Sequence, residues 1–337
     1  MPKPSLQTTT VGSYPVPLWL RTFGTKEHLR DAIMVVLKTQ ELAGIDLLVD
    51  GELYRWDLNH PETNGMIDYF IRPMAGVQTS FSRKTLEAFR QNSGMAYRAE
   101  PAGIVVEALG AGTLNLLRDY EFVRPLARKP LKFTLTSPYM LARVLVNQHY
   151  KNFQEVVMAL AEVLAEQVEG INAEVIQIDE ANLTGNPDDA DLAAAAINRI
   201  FKHVKTKKAV HLCFGNYGGQ RVQKGTYERL VHFINNLSCD HVVLEMARRP
   251  ESDKQMLAQL KPEMGIGLGV IDIKDNQVES PEEIARRIDA AAKLMGAERI
   301  HYVHPDCGLW MLPRSVADAK LRNLVDGRDL FVGKVKP

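Results

Sequence analysis

The feature that most constrains this chain is a regular alternation of short apolar runs with longer amphipathic ones. From residue 174 onward the rhythm is unbroken. Strand-like "EVIQIDE" (174–180), "AVHLCFG" (209–215), "HVVLEMA" (241–247), "MGIGLGVID" (264–272) and "RIHYVHPDCG" (299–308) are each followed by a helical run. Those runs cover 191–204, 226–237, 251–260, 280–296 and 315–327, the fourth opening on a Ser280, Glu283 capping signature. Upstream, "TTTVGSYP" (8–15), "DLLVDGE" (46–52) and "PLKFTLTSP" (130–138) read as strands, with helices at 29–44 and 153–170. The run "AGIVVEALG" (102–110) falls outside the alternation, as a hairpin inserted between the second and third strands. Alternating elements imply a parallel sheet, and eight strands make a (β/α)8 TIM barrel, here expected as a single domain over residues 1–337. A doubly wound open sheet would carry a glycine-rich phosphate loop after its first strand. "VGSYP" is not that loop, and "GIGLG" lies inside a late strand.

Lys plus Arg and Asp plus Glu number 41 each, so the chain has no net charge to direct it to nucleic acid or to an anionic membrane. Cys213, Cys239 and Cys307 are the only cysteines, too few for a disulfide framework and suited to a reducing compartment. Apolar runs long enough to span a bilayer are missing and the N-terminus has no signal-peptide core, so the expectation is a cytoplasmic protein.

In such barrels reactive groups collect at the C-terminal strand ends. Taken in order, those ends carry Ser13, Glu52, Thr136 with Ser137, Asp179 with Glu180, His211 with Cys213, Glu245, Asp272 with Lys274, and Asp306 with Cys307. Each has an ordinary reading: Glu52 as a cap, Glu245 paired with Arg248 or Arg249, Asp179 orienting a loop, and the His211/Cys213 pair as satisfied core residues. Their convergence on one rim favours chemistry. His211, Cys213, Glu245 and Cys307 form a set suited to Zn²⁺, which takes imidazole, thiolate and carboxylate tetrahedrally. Cys239 precedes its strand, at the opposite rim, and is set aside as structural. A zinc with two thiolates is a mild Lewis acid whose natural task is to bind and activate a further thiol, which points to alkyl transfer.

The pieces "TTTVGSYP", "DLLVDGE" with "MIDYF", "IQIDEANL", "HLCFGN", "VLEMAR", "GLGVIDI" and "HPDCGL" run through nearly the whole chain. In order and spacing the sequence resembles the catalytic C-terminal barrel of cobalamin-independent methionine synthase and its shorter single-barrel relatives. The resemblance implies zinc on His211, Cys213, Glu245 and Cys307. It also implies homocysteine held by Ser13 with its backbone neighbours Val11 and Gly12, by Glu52, and by Asp179.

The departures concern the methyl donor. Where the family has a histidine, proposed to protonate the folate leaving nitrogen, this chain has Lys274, so Lys274 and Asp179 are the catalytic expectation. The tryptophan that packs on the pterin is replaced near Val144, residues 59–65 form an insertion beside Glu52, and Trp310 follows "HPDCGL" where the family has a basic residue. The expected function is zinc-dependent methylation of homocysteine to methionine, with a methyl donor other than polyglutamated methyl-folate, such as a methyl-corrinoid or a corrinoid protein. The alternatives are alkyl transfer to another thiol, as in epoxyalkane–coenzyme M transferases with Lys274, His60 or Tyr54 as the acid, and a non-catalytic or decarboxylase-branch barrel without zinc.

Overall fold

The computed structural model describes residues 6–22, 24–57, 64–92, 98–215 and 225–333. Ten strands appear among them: β1 (Gln7–Thr8), β2 (Ala75–Gln78), β3 (Gly103–Gly110), β4 (Lys132–Thr136), β5 (Leu145–Asn147), β6 (Val175–Glu180), β7 (Lys207–Leu212), β8 (His241–Leu244), β9 (Gly265–Ile271) and β10 (Ile300–Pro305). Seven form one parallel sheet in the order β1-β10-β9-β8-β7-β6-β4. Parallel bridges Thr9↔Leu47 and Leu48↔Leu131 carry the segment around residue 47 between β1 and the start of β4, closing the sheet on itself. This is the expected (β/α)8 barrel.

The first two barrel strands are shorter than the sequence suggests, and side chains supply the reason. Val49 donates its N–H to Gln40 Oε1 at 3.0 Å and accepts from Gln40 Nε2 at 2.6 Å, so a helix side chain takes the place of a neighbouring strand. In the first strand, the Thr10 and Val11 carbonyls accept from the Lys132 and Gln177 side chains inside the barrel. Beyond these bonds the two segments meet at the mouth, where Tyr14 N donates to the Gly51 carbonyl at 3.1 Å.

Helices pack the outside of the sheet through continuous apolar faces. Phe153–Gln167, capped by Asn152, buries Val156, Val157, Leu160, Ala161 and Leu164, and Pro281–Met295 starts on the expected Ser280 cap. The last helix differs from expectation. It does not stop at Gly327 but runs Arg314–Val332, because Gly327 is a contact residue: a methyl group there would strike Ile284 of the neighbouring helix. The inserted hairpin is present as antiparallel β2 and β3, widened by β5, which returns after the third barrel strand to pair parallel with β3. No described helix is long and apolar enough to cross a membrane.

The closing helix is anchored by a buried ion pair. Lys320 is fully buried and donates to Glu279 Oε2 at 2.8 Å and to the Gln277 carbonyl. Glu279 keeps Arg287 at 3.6 Å on its other oxygen, so Lys320→Met, which removes a charged hydrogen bond, should lower stability by about 2 kcal/mol, read as a lower midpoint in urea at unchanged slope.

Candidate active site

At the C-terminal rim one cavity is lined by Val11, Gly12, Ser13, Glu52, Asp179, His211, Cys213 and Cys307, walled above by Asn64, Met66, Met140 and Trp310. Every residue expected to bind substrate is here, with three of the four expected metal ligands.

The ligand cluster follows from strand register. Asp179 on β6 lies opposite His211 on β7, and Cys213 is two residues further along, on the same side. Donor atoms of His211, Cys213 and Cys307 all lie within 4.8 Å of one another. His211 Nδ1 is 3.0 Å from the Val243 carbonyl, to which it donates. This fixes the tautomer and turns the Nε2 lone pair towards the Cys307 sulfur, with no oxygen or nitrogen partner among the described residues. A buried imidazole nitrogen left open beside two sulfurs fits a soft or borderline metal ion. The cysteines are already unequal. A hydrogen bond donated by Cys213, together with His211, holds the Cys307 thiol well below its usual range despite burial, while Cys213 is pushed up.

Glu245 stands beside this cluster and not within it. Its Oε1 accepts from Lys274 Nζ at 2.8 Å, and its Oε2 has no hydrogen-bond partner among the described residues. The expected arginine pairings go elsewhere: Arg249 to Asp253, Arg248 to Asp272. Burial lowers the Lys274 ammonium, but the Glu245 charge and hydrogen bond outweigh it, and the net shift is upward. Tyr227 secures the backbone here, donating to the Leu212 carbonyl at 2.8 Å and accepting from Glu245 N at 3.0 Å.

Glu52 is the one described non-glycine residue with positive φ, at 59°, a conformation costing of order 1 kcal/mol and held only by surrounding contacts. Those contacts are dense. Its Oε1 accepts from Thr134 Oγ1 at 2.6 Å and lies 3.2 Å from Arg55 Nη1. Arg55 is itself buried, facing the Tyr54, Tyr69 and Phe70 rings. Gly12 is required because a methyl group there would land on Glu52 Oε1, and Gly308 because one would land on Ser13 Oγ. Asp179 is pushed up to about 7 by burial, opposed by His211 and reinforced by the like charge of Glu52.

Several strand-end residues have structural duties. Glu180 accepts from Ser137 and from the Asn182 and Leu183 amides. Asp306 accepts from the Met246 and Ala247 amides, both at 2.9 Å. Cys239 lies away from the cluster, with its sulfur 3.7 Å from that of Met264. Val144 is buried and its carbonyl accepts from Ala102, so Met140 of the same segment faces the cavity instead. Tyr54 is not among the cavity's lining residues, and His60 and the rest of residues 59–63 lie outside the described residues. Sequence reading missed Arg55, Lys132, Thr134 and Gln177. The signal was available for the last three, because all occupy inward positions of strands "KFTLT" and "VIQIDE" where a barrel ordinarily places apolar side chains.

The barrel mouth sets an imidazole–dithiol cluster beside two carboxylates, Glu52 and Asp179. The profile of the cobalamin-independent synthase catalytic domain matches residues 6–328. The methionine synthase of Thermococcus kodakarensis is 32% identical over 346 aligned residues, covering 98% of this chain and 94% of that one. That of Pyrococcus furiosus is 31% identical over 341 residues, covering 96% and 92%. Among solved structures, a B12-independent methionine synthase from Shewanella sp. W3-18-1, in complex with selenomethionine, has the same fold, with a TM-score of 0.80 at 24% identity and 98% of both chains covered. The chain belongs to the cobalamin-independent methionine synthase family, a family of methyltransferases.

The cluster geometry gives a direct expectation. His211→Ala and Cys307→Ser should lose tightly bound divalent metal, measured by elemental analysis after dialysis, whereas Cys239→Ser should keep it. Metal loss in the Cys239 variant instead would overturn the ligand assignment.

Proposed function

We propose that this protein is a zinc-dependent methyltransferase that methylates the thiol of homocysteine to give methionine. The observation that carries the reading is the meeting, in one cavity, of the His211, Cys213 and Cys307 cluster with Glu52, Asp179 and the Val11–Gly12–Ser13 segment. His211, Cys213 and Cys307 would hold the zinc with Glu245 as the adjacent fourth residue. Bound there, zinc lowers the pKa of a substrate thiol and keeps the thiolate nucleophilic.

The chain's own residues do the rest. Glu52 and Asp179 accept from the substrate ammonium, as charge-assisted hydrogen bonds. Ser13 and its backbone neighbours Val11 and Gly12 take the carboxylate end, which directs the thiol towards the two cysteines. Asp179, catalytic in expectation, serves by orienting the nucleophile. Lys274 serves through Glu245: the ammonium keeps that carboxylate at the rim and apart from the three clustered ligands, which would leave the zinc free to take a substrate sulfur. Engaged in this way, Lys274 is a poor acid for a nitrogen leaving group, which supports a donor other than polyglutamated methyl-folate. A methyl-corrinoid, free or carried by a corrinoid protein, needs no such acid. Trp310, partly exposed and lining the cavity, offers an aromatic face to a planar donor. The three free cysteines accord with work in the cytoplasm.

Calorimetric titration of the zinc-loaded protein with homocysteine, and separately with coenzyme M, tests the reading. Homocysteine should bind with release of a proton, and coenzyme M should not bind. Binding of the sulfonate thiol alone would move the assignment to another alkyl transfer. Gly12→Ala, which displaces the Glu52 carboxylate, should weaken homocysteine binding about tenfold, equivalent to about 1.4 kcal/mol, with zinc content unchanged.

A further inference from the structure

Beneath the cavity floor lies a polar pair that the proposed chemistry does not use. Lys132, on β4, is buried inside the barrel and donates to the Thr10 carbonyl and to Gln177 Oε1 at 2.7 Å. Gln177, on β6 and fully buried, donates from Nε2 to the Val11 carbonyl at 3.0 Å and to Asp179 Oδ1 at 2.7 Å. The chemistry of these groups settles the amide's orientation. An ammonium offers only donors and a backbone carbonyl only accepts. The amide oxygen must therefore face Lys132 and the nitrogen must face Val11. The second amide hydrogen then reaches Asp179, which receives it as an acceptor.

An ordinary polar core pair is the competing explanation, and its surroundings argue against it. The inner cluster of Val11, Leu47, Val175, Ala209, Val243 and Tyr302 is apolar, and the buried imidazoles of His241 and His304, which burial and then the Lys132 charge push down, offer the lysine no counter-charge. Apolar residues in place of a buried polar network are often neutral or stabilising, so stability alone does not call for a lysine here. What the lysine does face is the substrate site: burial brings its ammonium down to about 7, and the charges of Asp179 and Glu52 both oppose that fall. Its two arms also end on Thr10 and, through Gln177, on Val11, the residues that lead into Gly12 and Ser13.

We propose that Lys132, acting through Gln177, is a positioning residue for recognition of the substrate's amino group. It presents Asp179 as an acceptor for that group. The inference rests on the proposed use of homocysteine, whose ammonium Asp179 receives. It assigns the choice of an amino-acid thiol over a plain thiol to residues that never touch the substrate.

The test compares homocysteine with 4-mercaptobutanoate, which has the same thiol and carboxylate and lacks the amine. Binding to the unaltered zinc-loaded protein comes first: failure of homocysteine there removes the functional reading. With that binding in hand, Lys132→Met should weaken homocysteine about tenfold or more, while 4-mercaptobutanoate changes by less than about twofold. Gln177→Met, which keeps the ammonium and removes its links to Asp179 and to the Val11 carbonyl, should show the same selective loss and guards against misfolding of the lysine variant. Equal loss for both thiols, or undiminished homocysteine binding in either folded variant, would overturn the inference and leave the functional reading standing.

Discussion

Closure of a parallel sheet is the constraint on which everything else depends. Parallel strands present all their C-terminal ends to one side, and inward side chains recur every second residue. Residues far apart in the chain are thereby stacked into layers: Asp179 beside His211, and Cys307, from beyond β10, brought within 4.8 Å of both His211 and Cys213. No local element could build this cluster. Closure itself is slight at one place, where bridges at Leu47 and Leu48 replace a full strand. That is also where the chain leaves the sheet, and Glu52 then lines the cavity.

The interior is unusually polar for a barrel, and the polarity is graded. An apolar layer of small and branched side chains gives way to Lys132 and Gln177, and then to the carboxylates, imidazole and sulfurs at the mouth. Burying such groups is costly unless each finds a partner, and most do. Among the groups at the ligand cluster, His211 Nε2 and Glu245 Oε2 are buried with no oxygen or nitrogen hydrogen-bond partner among the described residues. His304 Nε2, also unmatched, lies next to Gly267, where the absence of a side chain makes room for the ring.

Glu52 shows how a strained residue is kept in place. Its left-handed backbone would relax if its carboxylate were free, but Thr134 and Arg55 bind it from one side and Gly12 leaves only enough room on the other. Arg55 in turn depends on the rings of Tyr54, Tyr69 and Phe70. The position of one carboxylate oxygen is therefore set by residues from four separate stretches of chain.

Much of this was legible in the sequence, because period and strand-end position are local properties. The alternation specified the barrel, and reading only the strand ends picked out Ser13, Glu52, Asp179, His211, Cys213 and Cys307, all of which line one cavity. Three things were not legible. Val49 satisfied by Gln40, and Gly327 used for helix contact and not for termination, depend on which helix packs where. Glu245 held by Lys274, and not by either neighbouring arginine, depends on strands coming together across the rim. The sequence by itself determined which residue types reach the mouth, since alternation along a strand is fixed by backbone geometry. Only the tertiary structure decided which of them pair and which stay open, since partners are chosen by distances between strands that no spacing along the chain encodes.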